Sequence, residues 1–267
     1  MNEQDQDKVT YDKDSPIAVF DSGVGGISVL RALREEMPHE DFRYFGDSLH
    51  APYGTKSTEE VRARVFELVK SFRADGAKAV VVACNTATSA AVRALRETYP
   101  DYTIVGIEPA LKPAVLAGNE QTVIVMATPM TIRNEKFHVL MDQYVDQAHI
   151  IPLPCPGLME FVEAGKTEGD ELYSFVERLF SPFDKEKIDS VVLGCTHYPF
   201  VADTVRRVMG DRVKLFEGGP GTARETKRRL SVLNLLSGRE RAGEITIENS
   251  LSEDKAELCR KLLGADT

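Results

Sequence analysis

The sequence contains no run of about eighteen apolar residues, so no membrane-spanning helix is expected. Its start, MNEQDQDKVTYDKDS, lacks the basic-then-apolar order of a secretory signal, and the protein is expected to be cytoplasmic. A basic stripe is missing too. Lys and Arg are scattered and number 33 against 42 Asp and Glu, and the formal net charge of −9 speaks against nucleic acid as substrate or partner. Cysteine is scarce: Cys84, Cys155, Cys195 and Cys259, in a reducing compartment, make a poor disulfide framework. No C-x-x-C, H-E-x-x-H or G-x-G-x-x-G spacing occurs, and no Gly-Lys-Ser/Thr ending follows a glycine-rich loop. No metal site, dinucleotide fingerprint or P-loop is therefore signalled.

What is present is alternation. From Pro16 onward, short runs rich in Val and Ile alternate with amphipathic segments of helical period, the pattern of parallel sheets with crossover helices. Strands are expected at IAVF, DFRYFG, AKAVVVAC, YTIVGI, TVIVMAT, HIIPLP, IDSVVLGC, VKLF and EITIEN. Helices are expected at GISVLRALREEM, TEEVRARVFELVKSFRADG, ATSAAVRALRETY and FVADTVRRVMG, the second opened by a Ser57-x-x-Glu60 capping box. Interruptions at LKPAVLAGNEQ and EGGPGT divide the chain. The expected architecture is α/β: two parallel-sheet domains with the active site in the cleft between them. Residues 16–112 plus 222–267 would form the first, 113–221 the second, and 1–15 a polar, solvated tail. No tandem repeat is evident beyond one pair of short motifs.

That pair is VVVACNTAT, residues 80–88, and VVLGCTHYP, residues 191–199. Each places a cysteine where an apolar strand ends and small polar residues begin, and in open α/β sheets ligands bind outside the carboxyl ends of the strands. Asn85-Thr86 and Thr196-His197 would lie at helix starts, where free N–H groups favour an anion and ease thiol ionisation. Pro199 suits a first helical turn. Either cysteine alone reads equally well as small apolar filler, but the repetition favours reactive thiols. Cys155 and Cys259 lack this setting and read as structural. Two further strand-end loops complete the set: DSGVGG at 21–26, whose glycines allow close approach to a ligand, and YFGDSLHAPYG at 44–54.

With DSGVGG, YFGDS followed by PYG, CNTAT, GCTHYP and TARE in that order, the chain resembles glutamate racemases, cofactor-independent enzymes of the Asp/Glu racemase superfamily. The resemblance implies that Cys84 and Cys195 are the acid/base pair on opposite faces of the substrate α-carbon. Asp21 would assist Cys84, and His197 and Glu163 would assist Cys195. It further implies substrate contacts from Asp21, Ser22, Tyr53, Gly54, Asn85, Thr86, Thr128, Thr196 and His197. The substrate would be L- and D-glutamate, D-glutamate would feed peptidoglycan, no cofactor or metal would be needed, and the protein would be a homodimer. Leu49 and the EGGPG turn depart from the family pattern.

Two thiols suit such chemistry, because inverting an α-carbon requires taking a proton from one face and delivering one to the other. The competing readings are a metal site on Cys84, Cys195 and His197, a non-catalytic amino-acid-binding protein, and racemisation of aspartate. The first lacks ligand spacing, and the second leaves the paired thiols without use.

Overall fold

A computed structural model describes residues 10–133 and 135–264. All nine expected strands form. The first sheet holds β1 (Ile17–Asp21), β2 (Phe42–Gly46), β3 (Ala79–Val82), β4 (Thr103–Gly106) and β9 (Ile245–Asn249), in the order β4-β3-β1-β2-β9. The second holds β5 (Gln121–Ala127), β6 (Ala148–Pro154), β7 (Ser190–Leu193) and β8 (Lys214–Glu217), in the order β6-β5-β7-β8. Every pairing is parallel. The central strands β1, β3 and β7 are buried along their whole length because both sheet faces are covered there, whereas β2 and the edge strand β9 alternate in burial.

The sheet orders expose a repeat that the sequence conceals. Read outward, β4-β3-β1-β2 and β8-β7-β5-β6 are the same winding, so the chain builds one topology twice and then returns to add β9 to the first sheet. In each unit the winding reverses beside the opening strand, between β1 and β3 and again between β5 and β7. These switch points leave crevices at the strand ends. Cys84 follows β3 and Cys195 follows β7, so each thiol stands at the switch point of its own sheet.

The helices are α1 (Ile27–Glu36), α2 (Thr58–Ala74), α3 (Asn85–Thr98), α4 (Leu111–Val115), α5 (Pro129–Arg133), α6 (Glu135–Asp142), α7 (Leu158–Glu163), α8 (Asp170–Phe180), α9 (Ala202–Met209), α10 (Gly219–Val232) and α11 (Glu253–Leu263). The capping box of α2 forms in full: the Ser57 hydroxyl accepts from the Glu60 N–H while the Glu60 carboxylate accepts from the Ser57 N–H. An apolar core runs unbroken from Val19 and Ile27 under the first sheet, through Leu158, Val162 and Tyr198, to Ile124 and Leu193 of the second. Separate clusters cover the outer faces of the two sheets.

Three local expectations are corrected. The two interruptions are partly helical: α4 carries Lys112-Pro113, and EGGPGT opens α10 with its proline in the first turn, where the missing N–H has no intrahelical partner to lose. After Cys195 the chain makes a 3₁₀ turn, Tyr198–Val201, before α9, so only Cys84 sits directly at an α-helix start. Of the expected solvated tail, residues 1–9 lie outside the described residues, but Asp12–Ser15 form a turn, and the Lys13 carbonyl accepts from the buried Lys78 ammonium.

Candidate active site

The loop after β1 is shaped by its neighbours. Asp21 is fully buried; its Oδ2 accepts from the Gly26 N–H at 2.8 Å and the Thr196 hydroxyl at 3.1 Å, while Oδ1 has no partner. Burial, ahead of the opposing pull of His197, raises its proton affinity above the ordinary carboxylate range. Two of the glycines make room for protein side chains. A Cβ at Gly23 would stand 2.1 Å from Glu163 Oε1, and one at Gly25 would stand 2.4 Å from His197 Nδ1 and 2.6 Å from Thr196 Oγ1. They admit side chains of the second sheet's unit to the floor of the site.

Cys84 caps the start of α3 and is buried. Its sulfur lies 3.6 Å from the Ser22 hydroxyl. Burial, followed by the charge of Asp21, pushes the thiol up to about 12, although the Ala87 N–H and Ser22 pull the other way. The helix start therefore does not by itself depress this thiol, because desolvation outweighs the N–H groups. Asn85, the first residue of α3, is buried with Oδ1 unpartnered.

Cys195 is partly exposed and its sulfur stands 3.6 Å from His197 Nδ1. The other ring nitrogen, Nε2, is 2.9 Å from Glu163 Oε1. Burial alone would lower the proton affinity of His197, but its bonds to Cys195 and Glu163 prevail and raise it well above the usual histidine value. Burial likewise opposes ionisation of Glu163. The bonds from His197, Lys255 and the Val24 N–H win, holding the carboxylate at about 2. Glu163, at the end of α7, is thus no surface carboxylate: it accepts from Val24 at 3.0 Å and from Lys255 Nζ at 2.6 Å.

A cavity of about 250 Å³ lies between the two sheets. Ser22, Tyr53, Gly54, Cys84, Asn85 and Thr86 line it from the first sheet's loops, and Thr128, Cys195, Thr196 and His197 from the second's. Asp21 and Glu163 stand behind this lining, joined to it through Thr196 and His197. Thr128 caps α5, its hydroxyl accepting from the Thr131 N–H. Tyr53 is fixed from below by Asp47, which accepts its hydroxyl at 2.7 Å and a forked pair of Arg64 bonds at 2.8 Å each. Leu49 is 60% exposed and does not face the cavity.

Sequence reasoning missed several members. Cys155, read as structural, is buried but also lines the cavity, as do Met130, Arg133 and Met159. Arg64 and Lys255 act behind the lining. Both sit on amphipathic helices among other charges, with no local signal to separate them from solvent-facing neighbours.

Two like-wound parallel sheets with a thiol at each switch point place the molecule in a class. The chain belongs to the Asp/Glu/Hydantoin racemase family, whose pattern matches residues 27–226. Within it, the chain is 50% identical over 252 residues to a glutamate racemase of Clostridium perfringens, covering 94% of this chain and 97% of that one. A glutamate racemase isoform of Bacillus anthracis has a similar structure, with a TM-score of 0.85 at 30% identity, covering 94% of this chain and 95% of that one. The glutamate racemase of Francisella tularensis, solved in complex with D-glutamate, gives 0.79 at 26% identity and 95% of both chains.

Proposed function

We propose that this protein interconverts L- and D-glutamate by proton transfer between Cys84 and Cys195 at the substrate α-carbon, without a cofactor. The observation that carries the reading is the pairing of two thiols at one cavity, each with its own polar partners: Ser22 and Asp21 for Cys84, His197 and Glu163 for Cys195. Membership of the racemase family and likeness to a protein solved with D-glutamate support the substrate.

One sulfur enters as thiolate and removes the α-proton; the other enters as thiol and returns a proton to the opposite face. The surroundings of the two thiols are unequal. Cys84, buried beside Asp21, is favoured as the thiol, while Cys195 stands 3.6 Å from the His197 ring. Which sulfur abstracts depends on the hand of the substrate, and the roles exchange for the opposite enantiomer. Asn85 Oδ1 offers an acceptor for the substrate ammonium. The backbone N–H groups that open α3, together with the Thr86 hydroxyl, offer donors for charge building on the α-carboxylate. D-Glutamate made in this way would supply peptidoglycan, and the reading extends to a cytoplasmic homodimer.

Incubation with D-glutamate in D₂O, without added cofactor, should abolish optical rotation and the α-proton NMR signal together. Cys84→Ala and Cys195→Ala should each slow racemisation by at least about 100-fold, the lower end of positioned acid–base catalysis. Full racemisation by either variant would rule out the two-thiol route. An unchanged signal with folded wild-type protein would remove glutamate as substrate, and aspartate would be tried next.

A further inference from the structure

The reading above leaves one cation beside the Cys195 side unused. Lys255, in the first turn of α11, is only 23% exposed, and its Nζ donates to Glu163 Oε2 at 2.6 Å and to the Glu163 carbonyl at 2.7 Å. Helix α11 packs on β9 and α1 of the first sheet's unit, whereas Glu163 and His197 follow strands of the second. A helical lysine ordinarily keeps its ammonium in water, since desolvating a charge is costly unless a partner and hydrogen bonds compensate. Here the ammonium is turned inward onto a carboxylate whose other oxygen serves His197 and the Val24 N–H.

We propose that Lys255 is a positioning residue for proton transfer at Cys195: its ammonium holds Glu163 ionised and aimed at His197, completing the series Lys255, Glu163, His197, Cys195. The inference rests on the two-thiol reading. No proton passes through Lys255. Its effect is on charge balance: thiolate, imidazolium, carboxylate and ammonium alternate in sign, and removing the ammonium leaves the set with a net negative charge that disfavours the thiolate. Among the described residues, the other ionisable groups that act on this set do not replace that charge. Asp21 of β1 adds negative charge near His197, and Tyr44 of β2, Cys259 of α11 and Cys155 beside Cys195 are neutral when buried.

The test uses full-length wild-type protein, K255M, K255Q and K255R. Iodoacetamide labelling of Cys195 and Cys84 is followed by peptide mass spectrometry between about pH 6 and 9, with a thermal midpoint for each variant. In K255M and K255Q, Cys195 labelling at neutral pH should slow about ten-fold and its rate profile should move to higher pH by about one unit, while Cys84 changes by less than about two-fold. K255R should stay within about three-fold of wild type, and the loss of glutamate turnover in the other two should fall on kcat rather than KM. If the Cys195-to-Cys84 labelling ratio is unchanged in whichever of K255M and K255Q folds, Lys255 merely ties α11 to α7 and the proposal is overturned. Labelling needs no substrate, so this result stands apart from whether the wild type racemises glutamate.

Discussion

Asp47 illustrates how a single carboxylate is committed to shape. It accepts from Tyr53, His50 and two Arg64 nitrogens, and although burial favours its neutral form, these bonds hold it at about 2, against an ordinary 3.8. The folded value is depressed, so its stabilisation is present above the unfolded value and is lost as pH falls through the folded one. The contribution is about 2 kcal/mol at neutral pH, and about half of it remains at pH ~3. Urea denaturation of wild type and Asp47→Asn at those two pH values should show the deficit of the variant narrowing by about 1 kcal/mol in acid. A deficit that does not change with pH would mean that packing, not ionisation, is what Asp47 contributes.

Among the elements, the strands were legible in the sequence and the helices only in part. A parallel strand covered on both faces must be apolar throughout, so runs such as Ala79–Val82 and Ser190–Leu193 announce themselves. Helix α2 did so by its cap, and replacing Ser57 with Ala should cost about 1 kcal/mol in urea denaturation, with the midpoint lowered and the slope retained. Stability equal to wild type would show that the first turn of α2 is held by packing alone. Helices α4 and α5 span only five residues each and carry too few turns for a period to emerge. The 3₁₀ turn after Cys195 was misread as an α-helix start because Pro199 fits the first turn of either.

At the scale of the whole molecule, the gathering of the two thiols, Ser22, Tyr53, Asn85, Thr128 and His197 around one cavity follows from strand-end positions that the sequence marks with small polar residues. The supports behind them do not. Glu163, Lys255 and Arg64 owe their places to contacts between segments far apart in the chain, 92 positions in the case of Lys255 and Glu163, and no local pattern encodes such a meeting. The repeat of winding was also hidden, since topology is a property of strand order and the two halves share little beyond CNTAT and GCTHYP. The last strand matters to the first sheet, because β9 covers the edge of β2 from Phe42 to Gly46. A chain ended at residue 243 should leave that edge open and elute as aggregate in size-exclusion chromatography; a monodisperse truncated protein would show that β9 is dispensable.

The return of the chain to its first sheet also sets an order of events during synthesis. As the ribosome delivers residues from the N-terminus, β1 to β4 emerge early, yet their sheet waits for Ile245–Asn249 until the entire second sheet has been made. Lys255 arrives later still, so the ammonium that faces Glu163 reaches its place only after the strands of both sheets have been made. A nascent chain would therefore carry both cysteines before the ammonium that faces Glu163 is in place.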